Sequence, residues 1–299
     1  MDKDMHSAVP ARHVLGRPVV YRLGTRFIGR LPRAVAYWGG ARIADISYLF
    51  CTVARNNVKR NLRRALPHLD ERGIAALALS TFRNYSGYLV DYGVFKGLDA
   101  ASLARVLRNN EGDRHVDRAV KRGRGIIVLT VHIGNWELGG IYFAKRGLKI
   151  NVVTAAEGVP EIDELKREYR RKHNINTVIL GDSPFSTIEL LAALKRGEVV
   201  AMLVDRYGAG QSGAVVADFF DRPCNFPKGP LLLAKMTGAV ILPAVVIKEA
   251  GVYRSIIGGP VELDETDDAA FETCAREILK SFEATIRLYP DQWYNFVEV

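Results

Sequence analysis

Of the six histidines in this 299-residue chain, one stands where an apolar run stops. Residues 125–131 read GIIVLTV, a short β-branched run of the kind expected in a buried parallel strand. His132 closes it. Ligands of parallel α/β sheets bind at that carboxyl edge, and an imidazole exchanges protons near neutral pH, so the position suits acid–base chemistry. The chain continues Ile133-Gly134-Asn135-Trp136-Glu137. Gly134 and Asn135 suit a strand-to-helix turn and an N-cap. The new helix would begin beside His132 with free backbone N–H groups and a positive dipole end, both able to stabilise a developing oxyanion. Glu137 is five residues from His132; on one helix the two would be about 140° apart. They meet only if His132 precedes the helix and the turn folds back, in which case the carboxylate would fix the imidazole tautomer. The remaining histidines, His6, His13, His68, His115 and His173, lie in polar or terminal stretches.

The elements around this motif alternate. A helix over NWELGGIYFAKRG is followed by a strand KINVVTA, a helix ELKREYRRKH, a strand NTVIL, a helix PFSTIELLAALKRG and a strand EVVAMLV. Strand–helix alternation over some 80 residues predicts a mainly parallel, wound sheet flanked by helices. Strands AVVADFF, VILPAVVI and YRSIIG follow, with helices near 229–237 and 268–289. Upstream, residues 53–66 (VARNNVKRNLRRAL) read as a basic helix stopped by Pro67, and Asp70 caps a helix whose Ile74, Ala78, Phe82, Tyr85, Leu89 and Tyr92 share one face. Residues 5–44 hold seven arginines and no acid. Arg22, Arg26, Arg30 and Arg33 recur at helical spacing opposite Val19, Val20, Leu23, Phe27 and Leu31, the pattern of a helix lying in an anionic membrane interface. Gly24, Gly29 and Pro32 oppose that helix. The expectation is a basic, membrane-contacting N-terminal helical extension over 1–50 and one α/β domain over 51–299.

Composition bounds the partners. A net charge of +9 and three scattered cysteines, Cys51, Cys224 and Cys274, predict an anionic partner, a reducing compartment and neither a disulfide framework nor a metal site. The start of the chain lacks a signal-peptide pattern, and no apolar run approaches the roughly 18–20 residues that span a bilayer, so membrane attachment is expected to be peripheral. Gly208-Ala-Gly210-Gln-Ser-Gly213 spells G-x-G-x-x-G, but a strand pattern follows where a dinucleotide site needs a helix. No nucleic-acid motif is visible.

VLTVHIGNWELGG is similar to the first motif of the lipid A biosynthesis acyltransferases, which share His-x4-Asp/Glu with the glycerol-phosphate acyltransferases. ARNNVKRNLRRALP resembles that family's basic helix. DRYGAGQSGAVVADFFDRPCNFPKGPLLLAKMTGAVILPAVV resembles its second block, and YPDQWYNFVEV its closing Pro-x-Gln-Trp segment. The likeness covers roughly residues 50–299 and extends to the mycobacterial phosphatidylinositol mannoside acyltransferases. It implies an acyltransferase-type fold and transfer of a fatty acyl chain from a thioester, acyl carrier protein or acyl-CoA, to a hydroxyl of a glycolipid or lysolipid, at the cytoplasmic face of the inner membrane and with no cofactor. His132 would be the general base. No acyl-enzyme is required, and no cysteine or serine lies in a nucleophile motif.

Two carboxylates compete to support His132: Glu137 from the motif, and Asp205, which closes EVVAMLV and so reaches the same sheet edge. The mannoside enzymes favour a carboxylate at the place of Asp205, and they carry an arginine at Arg206 where many lipid A enzymes have an amide. For substrate binding the expected residues are Asn135, Trp136, Arg170, Arg206, and Lys228 with Gly229 at a helix start. Asn174 stands where the family often has a glycine, and tolerates the same left-handed turn. Readings of other classes are a metal-dependent hydrolase, which needs a histidine cluster the sequence lacks, and a non-catalytic membrane binder, which needs no histidine at the strand edge.

Overall fold

The computed structural model describes residues 31–155, 160–180, 185–206, 213–263 and 267–299. The arginine-rich stretch up to residue 30 and most of the glycine loop at 207–212 lie outside the described residues.

Helices α1 (Arg33–Phe50), α2 (Thr52–Ala65), α3 (Glu71–Val94), α4 (Ala100–Val106) and α5 (Asp113–Lys121) precede the sheet. Strand and helix then alternate: β1 (Ile126–Thr130), α6 (Trp136–Lys145), β2 (Ile150–Thr154), α7 (Pro160–Lys172), β3 (Ile175–Ile179), α8 (Ser186–Lys195) and β4 (Val199–Leu203). A hairpin, β5 (Ala214–Phe219) and β6 (Arg222–Pro227), leads to α9 (Gly229–Thr237), β7 (Val240–Glu249), β8 (Val252–Ile257), α10 (Asp268–Leu288) and a 3-10 turn at Pro290–Gln292. The expected alternation is present. Strand order is β3-β2-β4-β1-β7-β8, parallel except for the antiparallel β7–β8 edge.

Side chains of β1 alternate between two cores. Ile127 and Leu129 join Leu190 of α8, Leu231 of α9 and Ile278 of α10. Ile126 and Val128 join Phe82 of α3, Val116 of α5 and Leu138 of α6. The sheet is therefore covered on both faces, which explains why β1 is buried at every position.

The strand β6 was not anticipated. Its sequence, RPCNFP, carries two prolines, which remove ladder donors. It forms because the pair β5–β6 is a two-stranded sheet, so both strands are edges where proline is tolerated. Asp70 caps α3 by accepting from the Gly73 N–H at 2.8 Å, and Asn174 is left-handed at φ 59°, both as expected. No helix among the described residues is long and apolar enough to cross a membrane.

Candidate active site

The register of β1 and β4 builds the centre of the site. The two strands run parallel with Ile126 beside Val199 through Thr130 beside Leu203. Two steps further in that register stand His132 and Asp205. The His132 Nδ1 lies 2.7 Å from Asp205 Oδ1, and the His132 backbone N–H donates to Asp205 Oδ2 at 3.1 Å. The question left open between Glu137 and Asp205 is thus answered geometrically: Asp205 meets the imidazole.

The turn after His132 is a strand-to-helix reversal. Gly134 has φ +59°, and a Cβ there would sit 1.9 Å from the Val246 carbonyl, so only glycine fits. The Asn135 side chain accepts from the Leu138 N–H at 3.1 Å and caps α6. The N–H groups of Gly134 and Asn135, which precede the helix, donate to Gln292 O and Val246 O. The other side of Asn135 donates to Asp91 at 3.0 Å. Asp91 is buried on α3, and the hydroxyls of Tyr37 and Tyr253 also bond to it. Burial raises the Asp91 carboxyl above its usual range, against the opposing effect of those hydrogen bonds and of Lys248. Asn135 is only 2% exposed, so the structure gives it a framework role in place of the expected substrate contact.

Glu137 points elsewhere. Its carboxylate takes a bidentate bond from Arg170 of α7, at 3.0 and 2.7 Å, and a bond from the Tyr92 hydroxyl at 3.0 Å. Burial alone would raise Glu137; the Arg170 guanidinium outweighs it and holds the carboxyl low. Arg170, expected to bind substrate, is 4% exposed and paired with Glu137. Trp136 is half-buried, its ring edge-on to His132 at 5.2 Å and packed on Tyr88 at 4.4 Å, so it walls the site. The Lys228 Nζ bonds to Asp268 of α10 at 2.7 Å, and Gly229 opens α9; the bonds of Lys228 do not run to the His132–Asp205 pair.

The closing segment supplies groups that sequence reasoning missed. The Trp293 indole N–H donates to Asp205 Oδ2 at 3.0 Å, and the Asn295 amide donates to the Asp205 carbonyl at 2.9 Å and to Oδ2 at 3.3 Å. Tyr294 N–H donates to the His132 carbonyl at 2.6 Å, while Arg206, itself exposed, donates to Tyr294 O at 2.6 Å and Asn295 Oδ1 at 3.2 Å. Phe219 and Phe220 pack on the Trp293 ring, which gives the FF pair its place. The Pro-x-Gln-Trp pattern was the available signal, because a polar-aromatic run at the end of a chain is otherwise unexplained.

Electrostatically, burial would raise the Asp205 carboxyl, but His132, then Arg206 and the Trp293 N–H, hold it down to about 2. Burial lowers the His132 imidazole, Arg206 adds to this, and Asp205 opposes it with a smaller effect. The side chain of His132 keeps 16% of its surface open, whereas that of Asp205 has none. A neutral imidazole with Nδ1 held by a carboxylate and its other face reachable is an acid–base group.

A family description of bacterial lipid A biosynthesis acyltransferases matches residues 12–298. The chain belongs to that family. These acyltransferases act on lipid, and this one is therefore an enzyme of acyl transfer. It is similar to the phosphatidylinositol mannoside acyltransferase of Mycolicibacterium smegmatis, 25% identical over 284 residues, which cover 92% of this chain and 88% of that one. The Mycobacterium tuberculosis (strain ATCC 25618 / H37Rv) enzyme of the same name is 24% identical over 238 residues, 79% of this chain and 74% of its own. The lipid A biosynthesis lauroyltransferase of Escherichia coli (strain K12) is 26% identical over 266 residues, 88% and 84% respectively.

Proposed function

We propose that this acyltransferase moves a fatty acyl chain from an acyl thioester, carried by acyl carrier protein or coenzyme A, to a hydroxyl of a glycolipid or lysolipid, with His132 as general base. The observation that carries the reading is the 2.7 Å contact between His132 Nδ1 and Asp205. With the Nδ1 proton directed to Asp205, Nε2 holds the free lone pair. It takes the proton of the acceptor hydroxyl as that oxygen attacks the thioester carbonyl. The tetrahedral intermediate collapses with cleavage of the carbon–sulfur bond, and the imidazolium returns its proton to the leaving thiolate. The products are an ester and a free thiol, with no acyl-enzyme. Asp205 stabilises the imidazolium formed on the way without itself taking the proton. The start of α6, four residues after His132, offers the N–H groups of Trp136 and Glu137 and a positive helix end to the oxyanion.

Peripheral attachment to a membrane is supported by α1. Val35, Trp38, Ile46, Leu49 and Phe50 are all exposed, Trp38 at 66% and Phe50 at 76%, and Val53 of α2 continues the stripe. An apolar stripe of this size facing water marks an interaction surface. The basic stretch before it suits anionic lipid, which supports attachment at the cytoplasmic face of the inner membrane as part of this reading.

The test is transfer of labelled palmitate from acyl carrier protein and from coenzyme A into a total lipid extract, with wild type and His132→Ala. A labelled lipid formed by wild type and absent with the folded variant supports the reading, and mass analysis names the acceptor. Full activity in the variant removes His132 as base.

A further inference from the structure

The carboxylate beside His132 is held by a segment that has almost no secondary structure of its own. Residues 294–299 form neither helix nor strand, yet Trp293 and Asn295 bond Asp205, and Ile133 and Trp293 form an isolated antiparallel bridge. An irregular strand of this kind cannot satisfy its own carbonyls. Side chains of α2 take them. The Asn61 Nδ2 donates to the Asn295 carbonyl at 3.0 Å and the Val297 carbonyl at 2.7 Å, and Asn61 Oδ1 accepts from the Val299 N–H at 3.3 Å. Asn57, one helical turn earlier, donates to the Phe296 carbonyl at 2.9 Å. Asn61 is 3% exposed, so its amide has no water to fall back on.

We infer that Asn61 is a positioning residue, which fixes the closing segment against α2 and through Trp293 and Asn295 holds Asp205 against His132. The chain of contacts is continuous: Asn61 to the Asn295 carbonyl, Asn295 amide to Asp205, Asp205 to the imidazole. Its neighbours on the same helix have other tasks. Arg64 ties the segment's last carbonyl, at Val299, to the β5–β6 turn through Phe219 O and Arg222 O, at 2.9 and 2.7 Å, and Leu62 is core. This accounts for two of the three asparagines in ARNNVKRNLRRALP, Asn57 and Asn61, which a merely basic helix would not need. The inference rests on His132 and Asp205 being the proton-transfer pair for its catalytic consequence, but the geometry it predicts is measurable without substrate.

The experiment compares wild type with Asn61→Leu and Asn61→Asp by NMR on histidine-labelled protein and by the pH dependence of acyl transfer. The Nδ1 proton of His132, bonded to Asp205, gives a slowly exchanging downfield signal, identified by its loss in His132→Ala. In the Asn61 variants that signal is lost or moved and kcat falls by about 10–100-fold, the scale for loss of a group that orients another. The KM for the donor stays put, and the acid limb of the pH–rate profile moves to lower pH. A variant that is merely less stable would show a lower Tm with the signal and the limb unmoved, and that result overturns the inference. Should the Asn61 variants not accumulate, Asn57→Leu, at a half-buried position that releases the Phe296 carbonyl and the exposed Arg60 guanidinium, is expected to shift both readouts in the same direction by less; wild-type behaviour there also overturns it. If His132→Ala retains transfer while Asn61→Leu loses the downfield signal, the base assignment fails and the positioning contact stands.

Discussion

Two buried carboxylates sit near one edge of the sheet, and only one of them meets an imidazole. Glu137 and Asp205 are each 4% exposed, and in each burial would raise the carboxyl while a cationic or ionisable neighbour brings it down. Glu137 meets a guanidinium, which stays charged at every relevant pH. Asp205 meets an imidazole whose other nitrogen is reachable. A carboxylate locked to a permanent cation among Tyr92 and Tyr169 joins α6 to α7 and ends there. A carboxylate locked to an imidazole transmits orientation to a reacting atom. Depth and a depressed pKa therefore do not distinguish a chemical group from a structural one; the partner does.

The sharpest way to break this comparison is to remove each carboxylate while keeping its shape. Asp205→Asn presents an amide that can donate where Asp205 accepts, so the tautomer with a free Nε2 lone pair is lost. By the scale of orienting carboxylates in catalytic triads, kcat is expected to fall by about 10⁴-fold with the protein still folded. Retention of activity within tenfold would remove Asp205 as the group that orients His132. Glu137→Gln leaves Arg170 buried without a counter-charge, which costs about 3–5 kcal/mol. Urea denaturation should show that loss, while kcat per folded molecule stays within about tenfold. A thousandfold fall in kcat at undiminished stability would give Glu137 a direct chemical task.

The acid side of the pH profile separates the two in another way. The folded His132 is held below its ordinary value of about 6.5, so its neutral form is favoured on folding. That stability is present above pH about 6.5 and is lost as pH falls through the lower folded value. Asp205, at about 2 when folded against an ordinary value of about 3.9, adds stability that is lost only as pH falls through that lower range. With the neutral imidazole as the proposed base, activity is expected to fall on the acid side of pH about 6.5. In Asp205→Asn the residual activity should keep its acid limb at a still lower pH, because the carboxylate that favours the imidazolium is gone. In Glu137→Gln the limb should move little, since the Glu137 carboxylate is paired with Arg170 and makes no hydrogen bond to His132.

How much of this was legible in the sequence follows from what is local. The alternation of apolar runs and helical segments foretold the sheet, and the position of His132 and Asp205 after two such runs foretold their common edge. What joins them is the strand register, and register between β1 and β4 is set by packing across a 73-residue interval. Glu137 shared a motif with His132 and so looked like its partner, but α6 turns it toward Arg170, which arrives from a separate helix. Trp293, Asn295 and Asn61 were hidden for the same reason: each acts through contacts between segments more than 80 residues apart. The short helices α4 and α5 and the proline-bearing β6 escaped notice because they are held by tertiary neighbours and carry little periodic signal. The left-handed Gly134 and the Asn135 cap, whose demands are local, were read directly.

The smallest effect is expected from a third pair, which sets the floor for the other two. Lys228 reaches Asp268 at 2.7 Å with its ammonium over the Phe271 ring at 5.9 Å, and the Asp268 side chain is 78% exposed. From the sequence, Lys228 and Gly229 at the start of α9 looked like an anion site. In the structure the ammonium already has a carboxylate, in solvent, where such a pair is worth about 0–1 kcal/mol. Lys228→Ala should therefore leave stability within about 1 kcal/mol of wild type by denaturation. It should leave kcat and the acid limb where they are. Donor KM is the decisive readout: if it rises tenfold with acyl carrier protein or coenzyme A as carrier, the ammonium leaves Asp268 for the donor in the working enzyme. If it does not rise, an ion pair at the surface has neither the burial of Glu137 nor the imidazole of Asp205, and contributes to neither fold nor reaction.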